Sequence, residues 1–267
     1  MTETFAADWL DLREGADHAA RPRALLTPLI DWCRGRVPLE IVDLGAGAGS
    51  NLRYLAALLP RPQRWLLLDH DPALLRLTTA PGGDVTVERA CRDLAAATTV
   101  GALTGHLVTA SALLDLVSEA WIERLAARCE AIGAAALLAL SYDGAIRWSP
   151  VLPEDELARQ AVNAHQQRDK GLGAALGPDA ATTAAAAFRQ RGYRVELAPS
   201  PWQLGAADTA LQEALLAGWV GAAAEQRPDA GGTLRAWARA RRELIASGQS
   251  RLQVGHLDLL ALPREAS

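Results

Sequence analysis

Short, strongly apolar runs alternate along the chain with longer stretches in which apolar residues return every three or four positions. Ile41 to Leu44, Trp65 to Asp69, Leu107 to Ala110 and Ala134 to Leu140 are runs of the first kind. They read as strands buried on both faces of a parallel sheet. Val85 to Glu88 and Tyr193 to Leu197 alternate apolar with polar residues, and Leu252 to Leu262 makes the last strand. Helical patterns fill the intervals. Leu52 to Leu59 is one. Asp71-Pro72 supplies an N-cap and a proline at the first helical position. Ser118 caps a helix in which Trp121, Leu125 and Cys129 share a face. Gly177-Pro178-Asp179 opens another, which Gly192 ends. This alternation predicts the α/β class, with a doubly wound, seven-stranded, mostly parallel sheet. Two helices precede it: Phe5, Trp9 and Leu12 lie on one face of the first, and Leu25, Leu26, Leu29 and Ile30 stripe the second after Pro22. Two further helical patterns, marked by Leu211, Leu215 and Trp219 and by Leu234 and Trp237, form an insertion at 201–250 between the last two strands. The predicted organisation is a helical cap over 1–36 and one large domain over 37–267.

The densest chemistry lies at Ile41 to Asn51, where a strand ending in Asp43 runs into glycines at alternate positions, Gly45, Gly47 and Gly49. Glycine supplies unusual dihedrals and keeps the start of the next helix open to a ligand. The dinucleotide fingerprint G-x-G-x-x-G is incomplete, because its last position is Ser50. Asp43 would also repel a pyrophosphate and attract an ammonium group. The segment resembles motif I of class I S-adenosylmethionine-dependent methyltransferases, a family with a Rossmann-like sheet whose final strand is antiparallel. That resemblance implies that Gly45, Ala46, Gly47, Gly49 and Asn51 cradle the methionine part of S-adenosyl-L-methionine, with Asp43 near its amino group. Asp69 ends the next strand about twenty residues past the loop, the position of a ribose-binding carboxylate in doubly wound folds. His70 either flanks the adenine or is exposed. Resemblance to the family's third motif implies that Asp93 meets the adenine amino group, against the alternative of a surface aspartate. The resemblance covers residues 39–142, and the remainder in outline only.

Ligands in open α/β sheets bind beyond the carboxyl ends of the strands. Ser111 and Asp115, after the fourth strand, and Tyr142 and Asp143, after the fifth, therefore fall near a reaction centre; Ser111 is grouped with the cofactor and Tyr142 and Asp143 with the acceptor. His165 is the candidate general base, since its ordinary pKa lies near neutrality, with Asp115 as the other candidate and a plain surface histidine as the alternative. Lys170 is the single lysine beside many arginines, which hints that a compact ammonium is wanted there. Arg13, Asp17 and Arg21, in the N-terminal helices, either touch the cofactor carboxylate or the acceptor or form a solvated face. Arg239, Arg241 and Arg242 read as a solvated helix end, with attraction of an anionic acceptor as the rival. The insertion reads as a lid or as the surface of a homodimer.

Composition narrows the function without changing this picture. The 267 residues carry a formal net charge of −4 with no basic block, so nucleic acid is not an expected partner. Cys33, Cys91 and Cys129 fit neither a disulfide framework nor a zinc spacing, and read as small buried hydrophobes; no metal is expected. Charges interrupt every apolar run, and the start Met-Thr-Glu-Thr-Phe has no signal-peptide pattern, so no membrane partner and a cytoplasmic location are expected. No Asn/Asp-Pro-Pro-Tyr motif of the nucleobase-amine type follows the fourth strand. Together these imply methyl transfer to a small-molecule acceptor, with S-adenosyl-L-homocysteine as product. Oxygen is favoured as the accepting atom because no aromatic cage is visible along the sequence. The rival readings are a nucleotide-dependent oxidoreductase, for which a Tyr-x-x-x-Lys pair is missing, and a non-catalytic partner subunit, whose loop would be expected to have decayed.

Overall fold

A computed structural model describes residues 6–169 and 171–264. Two helices, α1 (Ala7–Ala20) and α2 (Arg23–Cys33), lead into β1 (Leu39–Leu44), α3 (Ser50–Ala56), β2 (Gln63–Asp69), α4 (Pro72–Leu77), β3 (Val85–Cys91), α5 (Ala97–Gly101) and β4 (Leu107–Ser111). Then come α6 (Glu119–Ile132), β5 (Ala135–Ser149), α7 (Asp155–Gln166), α8 (Ala180–Gln190), β6 (Arg194–Pro199), β7 (Trp202–Leu204), α9 (Thr209–Gln226), α10 (Gly231–Ala246) and β8 (Arg251–Leu262). The sheet order is β3-β2-β1-β4-β5-β8-β6, with β7 also paired to β8. Strands β1 to β5 pair in parallel, and β8 is antiparallel to β5, β6 and β7.

The alternation read from the sequence sets the layers. Val42 and Leu44 face one core with Trp121 and Leu125 of α6 and Phe188 of α8. Ile41 faces the other, with Leu25 and Leu29 of α2 and Leu52 and Leu55 of α3. A third cluster sits where the outer halves of β5 and β8 meet the insertion, around Trp148, Trp202 and Trp237. No helix among the described residues is long and apolar enough to cross a membrane.

Several expectations change. Among the described residues the seven expected strands are joined by an eighth, because a three-residue strand hides behind Pro199-Ser200-Pro201. Pro201 lacks an N–H, so the run reads as a breaker; yet the Ser200 N–H donates to the His256 carbonyl at 2.8 Å and carries the ladder across to β7. Strand β5 does not stop at Leu140. Register shifts against β8 after Leu138 and after Tyr142 absorb extra residues, so Ser141-Tyr142-Asp143-Gly144 is a bulged part of the strand. Leu12 is 38% exposed, and Phe5 lies outside the described residues; α1 turns Trp9, Arg13 and Asp17 inward instead. Ser118 precedes α6 but makes no side-chain cap bond, while Asp71 does cap α4, accepting from the N–H of Ala73. Cys33 and Cys129 are buried, but Cys91 is exposed at the end of an outer strand. Arg239 and Arg242 are exposed, but Arg241 is not a solvated helix end. Its guanidinium is 1% exposed, pairs with Asp155 through both of that residue's oxygens, and donates to the Pro150 carbonyl at 2.8 Å. The Trp237 indole donates to the same Asp155 at 2.8 Å, which pins α10 to the start of α7.

Candidate active site

The glycine run makes the turn that its composition demands. Gly45, Gly47 and Gly49 have φ of 65°, 51° and 83°, in the left-handed region that L side chains avoid. Space as well as dihedral requires glycine at one position: a Cβ on Gly49 would stand 2.7 Å from Cγ2 of Thr78. The Gly47 N–H donates to Oδ2 of Asp69 at 2.8 Å, and the Asp71 N–H donates to its Oδ1 at 2.9 Å. One carboxylate thus fastens the loop after β1 to the end of β2.

Around this turn opens a cleft of about 1110 Å³, solvent at its mouth included. Gly45, Ala46, Gly47, Asn51, Asp69, His70, Asp93 and Ser111, all expected near a cofactor, line it. Asp93 stands exposed at its edge, with Oδ1 accepting from the Ala95 N–H at 2.8 Å. Behind that turn, the buried Trp121 indole donates to the Leu94 carbonyl at 2.8 Å, so α6 holds the segment in place. The Nε2 of His70 is buried without a hydrogen-bond partner among the described residues. The opposite wall comes from α1, whose Leu10, Arg13, Glu14 and Asp17 repeat at helical spacing. Glu14 pairs with Arg53 of α3, and this contact, stronger than the opposing effect of burial, lowers its pKa.

Besides Asp143, described below, three residues stand elsewhere than expected: Gly49 lines neither cleft, and Asp43 and Arg21 are buried behind the first. Asp43 is 1% exposed and is not among the residues lining the cleft; Asn51 is. Asn51 donates from Nδ2 to Oδ1 of Asp43 at 2.8 Å, while Oδ2 of Asp43 has no partner among the described residues. Burial raises the pKa of Asp43 to about 7, against the opposing effects of the Asn51 bond and the Arg21 charge. Arg21, expected at the acceptor mouth, is instead buried. It donates to Oδ1 of Asn51 at 3.0 Å and to Oδ2 of Asp258 at 2.9 Å, joining the glycine loop to β8.

A second cleft, of about 1290 Å³, adjoins the first and shares Arg13, Ala112 and Leu116 with it. Asp115, Tyr142 and His165 line it, as expected of acceptor-side residues. Tyr142 donates to Oδ1 of Asn163 at 2.7 Å, and burial raises its pKa. His165 Nε2 lies 3.5 Å from Glu225. Lys170 falls outside the described residues. Asp143 lines neither cleft: its Oδ1 accepts from the Ala145 N–H at 2.9 Å and packs where a Cβ on Gly255 would be, so it shapes the bulge of β5. Arg13 is held in a fork by Asp17, at 2.9 and 3.1 Å, with its guanidinium 5.1 Å from the centre of the Trp202 ring. Ala112, just past the end of β4, and Leu140, at the first register shift of β5, both wall this cleft and have φ of 53° and 54°, a strain concentrated at the site.

Sequence reasoning missed Trp9, Trp202, Trp219 and His256 as site residues, all of which line the second cleft. A signal for His256 existed. From Leu252 to Leu262 every second residue is apolar except His256 and Asp258, a polar interruption of a core-facing pattern. Among the described residues no group of three or more His, Cys, Asp or Glu is placed to hold a metal ion.

No family model matches the sequence, and a search of curated proteins finds no match either. Solved structures do resemble it. A cyclopropane synthase from Mycobacterium tuberculosis aligns over 96% of this chain and 94% of its own, at 10% identity and TM-score 0.51. Two S-adenosylmethionine-dependent methyltransferases in complex with S-adenosyl-L-homocysteine align less closely. The one from Geobacter sulfurreducens covers 97% of this chain and 99% of its own, at 18% identity and TM-score 0.44. The one from Thiobacillus denitrificans covers 98% and 100%, at 16% identity and TM-score 0.44. The chain shares the fold of the cyclopropane synthase: a mostly parallel, Rossmann-like sheet closed by an antiparallel strand.

Proposed function

We propose that this chain is an S-adenosylmethionine-dependent methyltransferase of the class I type, acting on a small-molecule acceptor. The observation that carries the reading is the pair of adjoining clefts at the carboxyl ends of the strands, one built on a glycine turn and the other lined by aromatic and polar side chains, with a common wall at Arg13, Ala112 and Leu116. S-Adenosyl-L-methionine supplies a methyl group already activated on a sulfonium, and S-adenosyl-L-homocysteine is what remains after transfer.

The residues present fit that ligand. Gly45, Ala46 and Gly47 bring bare backbone to the cleft floor. Asp69 spends one bond per oxygen on the loop and keeps further lone pairs for a ribose diol. His70 and Asp93 flank the far end, where an adenine would lie, and Ser111 closes the floor. Asn51, whose amide is tied to Oδ1 of Asp43 and to Arg21, lines the cleft at the ammonium end, so Asp43 acts through Asn51. On the acceptor side the chain's task is orientation and exclusion of water. Tyr142 and Arg13 border that space, and His165 or Asp115 serves as base where the acceptor must lose a proton. Lys170 stays a candidate for an anionic group on the acceptor. Leu215 and Trp219 of α9 line the acceptor cleft, which supports a lid role for the 201–250 insertion over that of a homodimer surface. The division into a 1–36 cap and a 37–267 domain needs adjustment in that light: α1 borders both clefts, whereas α2 packs on the sheet.

Oxygen as the accepting atom needs a new footing. The missing aromatic cage that favoured it does not survive folding, since Trp9, Trp202, Trp219 and Tyr142 gather around the second cleft. The preference rests instead on His256, taken up below. Isothermal titration of the purified chain with S-adenosylmethionine, S-adenosylhomocysteine and NAD tests the donor. Saturable binding of the first two and none of NAD is expected. The opposite preference would replace this reading with the oxidoreductase.

A further inference from the structure

His256 lies on β8, opposite Tyr142 in the register of β5, and the Ser200 N–H closes on its carbonyl from the other side. Its backbone is therefore fixed by strands on both flanks. The ring is 6% exposed, stacks at a tilt on Trp202 with centroids 4.9 Å apart, and meets Tyr142 edge-on at 6.3 Å. Nevertheless Nδ1 has no hydrogen-bond partner among the described residues, and the ring lines the second cleft. An orphaned polar atom this deeply buried costs free energy unless something pairs with it. Burial, with the Arg13 charge beside it, depresses the pKa of the ring to about 3, so the imidazole is neutral at physiological pH and has a lone pair to offer.

The rest of the cleft sets the class of molecule that reaches that atom. Trp9, Trp202, Trp219, Leu215 and Val254 give it flat and aliphatic walls. Arg13 is already matched by Asp17, and so its charge is not left over for a second carboxylate. Those walls favour a flat molecule that stacks on the indoles, while Asp115, His165 and Gln166 in the same lining face its few polar groups.

We propose that His256 is the specificity-determining contact of the acceptor cleft, and that its Nδ1 accepts a hydrogen bond from a hydroxyl on a flat, largely apolar acceptor. This rests on reading the second cleft as the acceptor site. The contact aligns the hydroxyl oxygen and leaves its lone pairs free to face the donor cleft across the Ala112 wall. As the oxygen bonds to the methyl carbon and the carbon–sulfur bond breaks onto sulfur, the hydroxyl proton passes to Nδ1, so this acceptor needs neither His165 nor Asp115 as base. It also rejects an otherwise identical molecule whose oxygen is already methylated, so the product is bound less well than the substrate.

The test uses 2-naphthol, 2-methoxynaphthalene and naphthalene as probes, followed by quenching of the tryptophan fluorescence in the full chain saturated with S-adenosylhomocysteine. Wild type should bind 2-naphthol at least about tenfold more tightly than either analogue, the discrimination typical of a buried hydrogen bond. His256→Phe should bind all three alike, and His256→Gln, which retains an acceptor atom, should recover part of the preference. Titration with S-adenosylhomocysteine checks that each variant is folded, because His256 does not line the donor cleft. Equal binding of the three probes by wild type, no binding of any, or a preference that survives in His256→Phe would overturn the proposal. Failure of the wild type to bind S-adenosylhomocysteine at all would instead overturn the methyltransferase reading beneath it.

Discussion

The first cleft, proposed for the donor, is floored by a turn of backbone whose hydrogen bonds are closed by carboxylates, while the second, proposed for the acceptor, is walled by side chains from separate segments of the chain. In the first, Gly47 and Asp71 donate to Asp69, and Asn51 donates to Asp43. In the second, Trp9, Tyr142, Trp202, Trp219 and His256 come together from α1, β5, β7, α9 and β8. A backbone turn can bind one kind of ligand and tolerates little change. A cleft made of side chains on distant elements can be re-lined by substitution without disturbing the turn. The contrast is what a shared donor and a variable acceptor would require.

That separation can be broken experimentally. The largest effect expected is from Asp155→Ala, which strands the buried Arg241 guanidinium and the Trp237 N–H beneath α9 and α10. It should cost about 3–5 kcal/mol in urea denaturation. At temperatures where the variant stays folded, S-adenosylmethionine affinity should be unchanged; a tenfold loss would mean that the cap also supports the donor cleft. Next is Asp69→Ala, which removes the tie to the loop and the proposed ribose contact together. Donor affinity should fall about a hundredfold, on the scale of one or two charge-assisted hydrogen bonds, with naphthol binding intact.

The two clefts should also respond to pH in opposite directions. Asp43 has its pKa raised from 3.8 to about 7 in the fold. The folded state holds the extra proton between those values, so this contribution to stability is fully present below the lower one and is lost as pH rises through 7. His256 has its pKa lowered from 6.5 to about 3, so its contribution is present above 6.5 and is lost as pH falls towards 3. Relative to wild type, Asp43→Asn should gain stability on going from pH 5 to pH 7.5, and His256→Gln should gain on going from pH 6.5 to pH 4. Urea midpoints across that range would show either slope to be absent. The smallest effect is Gly47→Ala. Its φ of 51° and a Cβ 3.1 Å from Leu10 Cδ1 should cost about 1 kcal/mol of stability, measurable as a reduced denaturation midpoint.

How much of this could be read from the chain follows the same division. The first cleft is legible along the stretch from Gly45 to Ser111, where a strand, a glycine turn and a helix start are consecutive in sequence, and not at the wall that Leu10, Glu14 and Asp17 of α1 supply. Even there, spacing alone puts Asp43 at the ligand, since it does not reveal that Asn51, eight residues on, lines the cleft in its place. The second cleft is legible where strand ends announce it, at Asp115 and Tyr142, and at His165 of α7, which residue type alone singles out. Trp202 was hidden by the prolines before it, and Arg241 looked like any basic helix end because nothing local records Asp155 waiting 86 residues away. Long-range pairing of a buried charge leaves no periodic mark.

The shared wall has a consequence of its own. Arg13, Ala112 and Leu116 face both clefts, and Ala112 is held in a sparsely populated backbone conformation. Any ligand that resets this wall from one side alters the free energy of occupancy on the other. Linkage then demands equal exchange: the factor by which the donor improves or weakens the acceptor's hold is the factor returned to it. Three residues therefore make the two binding equilibria one thermodynamic system.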